Sequence, residues 1–127
     1  MADWVLDASA VLAPLRAEAG GDLVLPLMET SLLGAVNLAE VATRLLDLGA
    51  SAADIDGLPE RLRCEVIPFD VDLALRAGLL RVQTRHLGLS VGDRACLALA
   101  QREGLPGLTG DRAWARLDVG VQVVLIR

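Results

Sequence analysis

Lysine and tyrosine are absent from this chain of 127 residues, which has one phenylalanine, two tryptophans, one histidine and two cysteines. Without lysine, chemistry that needs a side-chain amine is excluded; all 12 basic residues are Arg. The shortage of aromatics argues against a platform on which single-stranded bases stack. Cys64 and Cys96 lack the close spacing of a zinc site or a redox pair, and their apolar surroundings predict buried free thiols. The one histidine, His86, falls near a predicted helix C-terminus, where it suits dipole capping better than general-base work. Long hydrophobic runs are also missing. The longest uncharged run, Thr30 to Ala39, is far short of the ~18 apolar residues of a spanning helix, although mean hydropathy is +0.48. No basic region precedes an apolar one at the N-terminus, and Asp3 and Asp7 interrupt it, so no secretory signal is expected. These features predict a cytoplasmic protein with no membrane segment, whose apolar excess serves partners. The net charge of −5 weighs against a nucleic-acid partner, an objection that weakens if several acids are metal ligands.

What is present is an alternation of strand-length apolar runs with stretches of helical period. That pattern predicts βαβ units around a parallel sheet, an α/β fold, in a single domain over 1–127. A first strand is predicted over Asp3–Leu6, then a helix over Ser9–Ala17, capped by Ser9 and stopped at Gly20-Gly21. In Asp22–Glu29, Pro26 either starts a short helix or breaks a strand, and the short helix is preferred. Ser31–Leu33 is a second strand ending at Gly34. The helix after it, Val36–Leu48, has an apolar stripe of Leu38, Val41, Ala42, Leu45 and Leu48, with Asn37, Glu40, Arg44 and Asp47 opposite. Further helices are predicted over Ser51–Arg61, where Pro59 kinks or shortens the element, and over Asp70–Arg85, with Leu73, Ala74, Ala77, Leu80 and Val82 inward. Between them lies a third strand, Glu65–Ile67. The clearest helix is Ser90–Glu103; then come a strand over Leu105–Thr109, a short helix over Asp111–Leu117 and a strand over Val121–Ile126. The last is nearly all apolar, as a strand covered on both faces should be.

Four acids fall at informative places. Asp7 ends the first strand, Glu40 lies near the start of a helix, Asp93 is in the first turn of another, and Asp111 follows the fourth strand. With right-handed crossovers, strand ends and the helix starts after them share one sheet edge, so the four can meet in one crevice. Each also has a structural role open to it. Asp7 and Asp111 can cap helices, Glu40 can pair with Arg44, and Asp93 completes a capping box with Ser90. Clustered carboxylates resist ionisation unless a cation neutralises them. An all-oxygen donor set without His or Cys suits Mg²⁺ or Mn²⁺. One divalent ion would halve the charge of four carboxylates and two would cancel it, so a two-metal site is plausible, and with it phosphoryl transfer.

The segments Val5–Ser9, Ala35–Val41, Leu89–Ala100 and Leu108–Trp114 resemble, in order and spacing, the motifs of PIN domains. They are most similar to those of the toxin ribonucleases of VapBC toxin–antitoxin pairs. The resemblance spans essentially the whole chain, and its third segment is the most specific. It implies a three-layer α/β/α, PIN-like fold with a central five-stranded parallel sheet. It also implies a Mg²⁺- or Mn²⁺-dependent endoribonuclease leaving 5′-phosphate and 3′-hydroxyl ends, a homodimer, and a cognate antitoxin. Asp7, Glu40, Asp93 and Asp111 match the acidic catalytic and metal positions, and Ser9 and Thr109 match supporting polar ones. Gly34 departs from the pattern, which often has Ser there, and this places a hydrogen bond at that turn in question.

With few aromatics, RNA contacts fall to Arg and to RNA shape. Arg94 and Arg112, each next to a site acid, are the candidate substrate contacts, and Arg16 and Arg44 are weaker ones. Four readings compete with the toxin: a PIN nuclease of RNA processing, a non-catalytic module whose acids are caps, a phosphoacceptor receiver domain and an aspartyl phosphotransferase. The receiver normally needs a lysine near its Asp, and this chain has none; the phosphotransferase expects an acid two residues after its Asp, where this chain has Ser9.

Overall fold

Five strands, β1 (Trp4–Leu6), β2 (Ser31–Gly34), β3 (Glu65–Ile67), β4 (Gly107–Thr109) and β5 (Val123–Leu125), pair in the order β3-β2-β1-β4-β5. Every pairing is parallel, with Val5 opposite Leu32 on one side and Gly107 on the other. The coordinates are a computed structural model describing residues 1–127. Side chains of successive strand residues point to opposite faces, and the core divides accordingly. Val5 and Leu32 pack with Leu73, Ala77, Leu97 and Trp114. Leu6, Leu33 and Leu108 pack with Ala10, Val11, Val24, Val41, Leu58 and Leu62. The result is the parallel sheet that the strand and helix alternation predicts, in the three-layer α/β/α arrangement that the PIN-domain resemblance implies.

The helices are α1 (Ala8–Leu15), α2 (Gly21–Val24), α3 (Ala35–Asp47), α4 (Ala52–Asp56), α5 (Leu58–Leu62), α6 (Val71–Leu79), α7 (Arg81–Thr84) and α8 (Val91–Glu103). Short 3₁₀ helices occupy Leu25–Thr30, Arg85–Leu87 and Arg112–Arg116. Helix α8 is the one most strongly encoded locally. Ser90 and Asp93 form a reciprocal capping box, and Gly104 ends the helix at φ +66°, a left-handed conformation that suits glycine. Its stretch Ala95–Ala100 is buried throughout. No helix is long and apolar enough to cross a membrane.

Several predicted elements are corrected. Asp7, not Ser9, caps α1, because its carboxylate accepts the Ala10 N–H at 2.9 Å and starts the helix at Ala8. The helix predicted over Ser51–Arg61 breaks at Gly57 into α4 and α5; Pro59 sits in the first turn of α5, where no backbone donor is needed. The turn lets Leu58 and Leu62 both reach the core. The helix predicted over Asp70–Arg85 divides at Leu80, so that Leu80 is buried while Val82 faces solvent at 75% exposure. Ala74 is also exposed. Strand β5 is an edge strand and only half-buried, so its apolar run is covered less completely than a central strand would be.

The chain leaves β1 towards β2 and β3, then returns across the sheet to β4 and β5. The direction of winding therefore reverses between β1 and β4, and a crevice opens there at the carboxyl ends of the strands, where open α/β sheets bind ligands. Leu97, fully buried in α8 against the sheet, tests the packing behind this crevice. Leu97→Ala should lower unfolding free energy by about 2–5 kcal/mol, measured by urea denaturation.

Candidate active site

Asp7 follows β1 directly and is only 4% exposed. Its Oδ1 accepts hydrogen bonds from the Ser9 hydroxyl (2.6 Å) and the Ala10 N–H; its Oδ2 accepts one from the Thr109 hydroxyl (2.5 Å). The two hydroxyls reach across the crevice. Ser9 Oγ accepts the Gly110 N–H at 2.8 Å, and Thr109 Oγ1 accepts the Asp111 N–H at 3.0 Å. Ser9 and Thr109 thus tie the end of β1 to the end of β4 through the carboxylate. Burial raises the Asp7 pKa in spite of these donors, and the nearby charge of Asp93 adds to the rise.

Glu40 enters from α3. It is placed by Asn37, one helical turn before it, whose Nδ2 donates to Glu40 Oε1 (2.9 Å) and to the Gly92 carbonyl (3.0 Å). Asn37 is 1% exposed, so it belongs to the interior and not to the polar stripe on which its spacing put it. A methyl group built on Gly92 would fall 2.5 Å from the Glu40 carboxylate carbon; the carboxylate rests against the first turn of α8 where Gly92 has no side chain. Burial raises the Glu40 pKa first, and Asp93 and Asp7 raise it further. The ion pair with Arg44 that the spacing allows is not formed. Beneath the three acids lies Cys96, a free, fully buried thiol whose pKa burial and the charges of Asp7, Asp93 and Glu40 push well up. Cys64 is also free but only half-buried.

Asp93 sits beside Gly92, with Oδ2 accepting the Ser90 N–H at 3.1 Å. Asp111 caps the 3₁₀ helix after β4 through the Ala113 N–H (3.0 Å) and faces solvent. The structure therefore brings Asp7, Glu40 and Asp93 into one electrostatic neighbourhood. Asp111 stands on the same sheet edge but is not among the charges that raise Asp7 or Glu40. No arginine pairs with any of the four. As the side chains stand, no three of them converge tightly enough to grip one ion. The donors nonetheless fit a hard divalent cation: all are carboxylate oxygens, all lack a counter-charge, and one oxygen each of Glu40 and Asp93 accepts no hydrogen bond.

Of the candidate substrate arginines, Arg94 turns into the α6–α8 interface, where Nη1 donates to the Ala77 carbonyl at 2.9 Å and Nε is buried without a partner. Arg112 is exposed and makes no ion pair. Residue-by-residue reading misses Asn37, Gly92 and Gly110. Their signal is position: each lies next to, or one turn from, a site acid. The departure at Gly34 also has a visible effect. Gly34 caps α3 without a side chain, and a Cβ there would stand 3.2 Å from Asn37 Oδ1, a buried acceptor with no partner.

Three outcomes are expected. Gly34→Ser should stabilise the fold by about 0.5–1.5 kcal/mol in urea denaturation, by donating to Asn37 Oδ1 after a shift of a few tenths of an ångström. Gly92→Ala should displace the Glu40 carboxylate with a stability change of no more than about 1 kcal/mol in the same assay, because the group that must move is the end of a flexible, exposed side chain and alanine suits a helix better than glycine. Because the folded-state pKa of Asp7 is raised, its contribution to stability is fully present below the ordinary Asp pKa and is lost as pH rises through the folded value. The melting temperature of Asp7→Asn relative to the parent, measured without divalent ions, should therefore rise between pH 4 and pH 8.

The sequence matches the PIN domain family over residues 4–120, a span that contains β1 to β4 and all four acids. Among solved structures, the chain is similar to DNA-bound VapBC from Salmonella typhimurium, with a TM-score of 0.77 and 17% identity over 100% of both chains. It is also similar to VapC20 of Mycobacterium tuberculosis, a sarcin–ricin loop cleaving toxin (TM-score 0.71, 18% identity, 94% of this chain and 99% of that one). A member of the VapBC family from the same organism, VapBC-5, matches at TM-score 0.61 and 29% identity over 100% and 99% of the two chains. No curated protein sequence matches closely enough to count as a relative. With the family match covering the crevice and every acid in it, the chain belongs to the PIN domain family.

Proposed function

We propose that this chain, acting as one domain over 1–127, is the toxin of a type II toxin–antitoxin pair, a Mg²⁺- or Mn²⁺-dependent endoribonuclease of the cytoplasm. The observation that carries the reading is the uncompensated group of Asp7, Glu40 and Asp93 at the reversal point of a PIN-domain sheet. The description of a similar fold as an RNA-cleaving toxin supports it.

Asp7, Glu40 and Asp93 would hold a divalent ion, with Asp111 completing that site or serving a second one. Bound there, the ion would lower the pKa of water and offset charge developing on the phosphoryl oxygens. The protein's own part is positioning. Ser9 and Thr109 hold Asp7 rigid, Asn37 aims Glu40, and the Ser90 cap holds Asp93 at the helix start. Hydrolysis places a water oxygen on phosphorus and breaks the bond to the 3′ oxygen, leaving 5′-phosphate and 3′-hydroxyl ends. Arg112 meets RNA phosphate. Arg94, the other substrate contact proposed, would have to release the Ala77 carbonyl to do so.

Two apolar surfaces serve partners in this reading. A groove of about 510 Å³ lined by Pro14, Leu15, Leu25, Met28 and Leu62, with Arg61 and Arg63 at its side, suits an amphipathic antitoxin segment. The stripe of Val71, Leu75, Leu79 and Val82, each 65–76% exposed, suits the homodimer interface. A second reading, a non-catalytic module, draws on the fact that Asp7 and Asp111 cap helices and Asp93 completes the capping box of Ser90.

Incubation of the purified chain with an RNA pool and Mg²⁺ or Mn²⁺ separates the two. The nuclease reading expects discrete cuts, lost with EDTA and reduced about 10²-fold or more by Asp7→Asn or Asp93→Asn. RNA left intact, by a folded chain whose melting temperature Mn²⁺ does not raise, would establish the non-catalytic module instead.

A further inference from the structure

We propose that Arg127 is a contact for an RNA phosphate flanking the scissile one, held in place on the backbone of Gly110; the inference rests on the nuclease reading above. Strand β5 runs parallel to β4 with Leu125 opposite Thr109, and the Ile126 N–H donates to the Thr109 carbonyl at 2.9 Å. Arg127 therefore leaves the sheet at the edge that carries Asp111, one strand further from Asp7. Its guanidinium lies against Gly110, close enough that a methyl built there would fall 2.7 Å from Nη2 and 2.8 Å from Cζ. Gly110 is itself fixed, because its N–H donates to the Ser9 hydroxyl that in turn donates to Asp7. The cation thus rests on the peptide that holds the partner of the central carboxylate.

Nothing in the protein neutralises it. Arg16, Arg63, Arg76 and Arg102 each have a carboxylate within 4.0 Å, and Arg127 has none. Its one hydrogen bond runs from Nη1 to the Ala19 carbonyl at 3.0 Å. That bond holds the fork in place and leaves its other N–H groups without a protein acceptor. A positioned, unpaired guanidinium with free donors is what a phosphate takes in a bidentate contact. On the sheet edge that carries Asp111, it also adds positive charge that favours the approach of a polyanion to a chain of net charge −5.

The test is binding of a short, mixed-sequence, fluorescein-labelled single-stranded RNA to Asp7→Asn protein, which reads affinity apart from cleavage, as a function of salt. Arg127→Gln in that background should weaken binding about tenfold at low salt and flatten the slope of log affinity against log salt by about 0.7. Gly110→Ala, whose added methyl moves the guanidinium but keeps its charge, should weaken binding without that loss of slope. It also serves as the test if Arg127→Gln does not fold. Affinity and slope unchanged in the folded variants, while the unaltered chain still cuts RNA, would overturn the role of Arg127 alone. An unaltered chain that neither binds nor cuts RNA would overturn the nuclease reading first, and this role with it.

Discussion

The Asp7 carboxylate, buried between two strands and held by three donors, is the interaction on which the rest of the site depends. A buried charge is tolerated only when hydrogen-bonded or paired. Here the donors come from α1 and from both sides of the crevice, and none carries a charge. Ser9 and Thr109 each accept a backbone N–H from the segment after β4 while donating to Asp7. The carboxylate thereby organises the junction of β1 and β4, the one place where the sheet reverses its winding. The same hydrogen bonds that make Asp7 a helix cap fix its direction towards the crevice.

Capping and ligation are not competing uses in this geometry. An N-cap sits where its helix begins, and in a parallel α/β sheet the helix N-termini lie on the edge where ligands bind. Asp7, Asp93 and Asp111 each accept a backbone N–H at the start of a helix. Glu40 is the exception. It lies inside α3, aimed by Asn37 and resting against Gly92. Burial and two neighbouring charges, opposed by one hydrogen bond from Asn37, raise its pKa.

What was legible in the sequence follows that division. The strand tip at Asp7, the capping box of Ser90 and Asp93, and the short helix after β4 are signalled by residues within a few positions of one another. The parallel sheet follows from the alternation of such segments. Asn37 was not legible, because helical period alone puts it on a polar face; only the packing of α8 against the start of α3 buries it, while Glu40, Arg44 and Asp47 on the same stripe stay exposed. The breaks at Gly57 and Leu80 were hidden for a similar reason. Both segments have helical pattern throughout, and the bends are imposed by the need of Leu58, Leu62 and Leu80 to reach a core. Edge position, which leaves β5 half-buried, is a property of strand order that no local pattern records.

The arginines show the same contrast between sequence neighbourhood and placement. Arg94 follows a site acid directly, yet a helix turns successive side chains by ~100°, and this carries it into the interface with α6. Arg127 is distant from every acid in sequence, yet the register of β5 on β4 sets it at the same edge as Asp111. In a sheet whose strands are three or four residues long, one or two residues past a strand end is already the rim of the crevice. Distance past a strand end is therefore a better guide to placement on this sheet edge than adjacency to a motif. By that measure Asp7, Asp111 and Arg127 form one class, and Arg94 falls outside it.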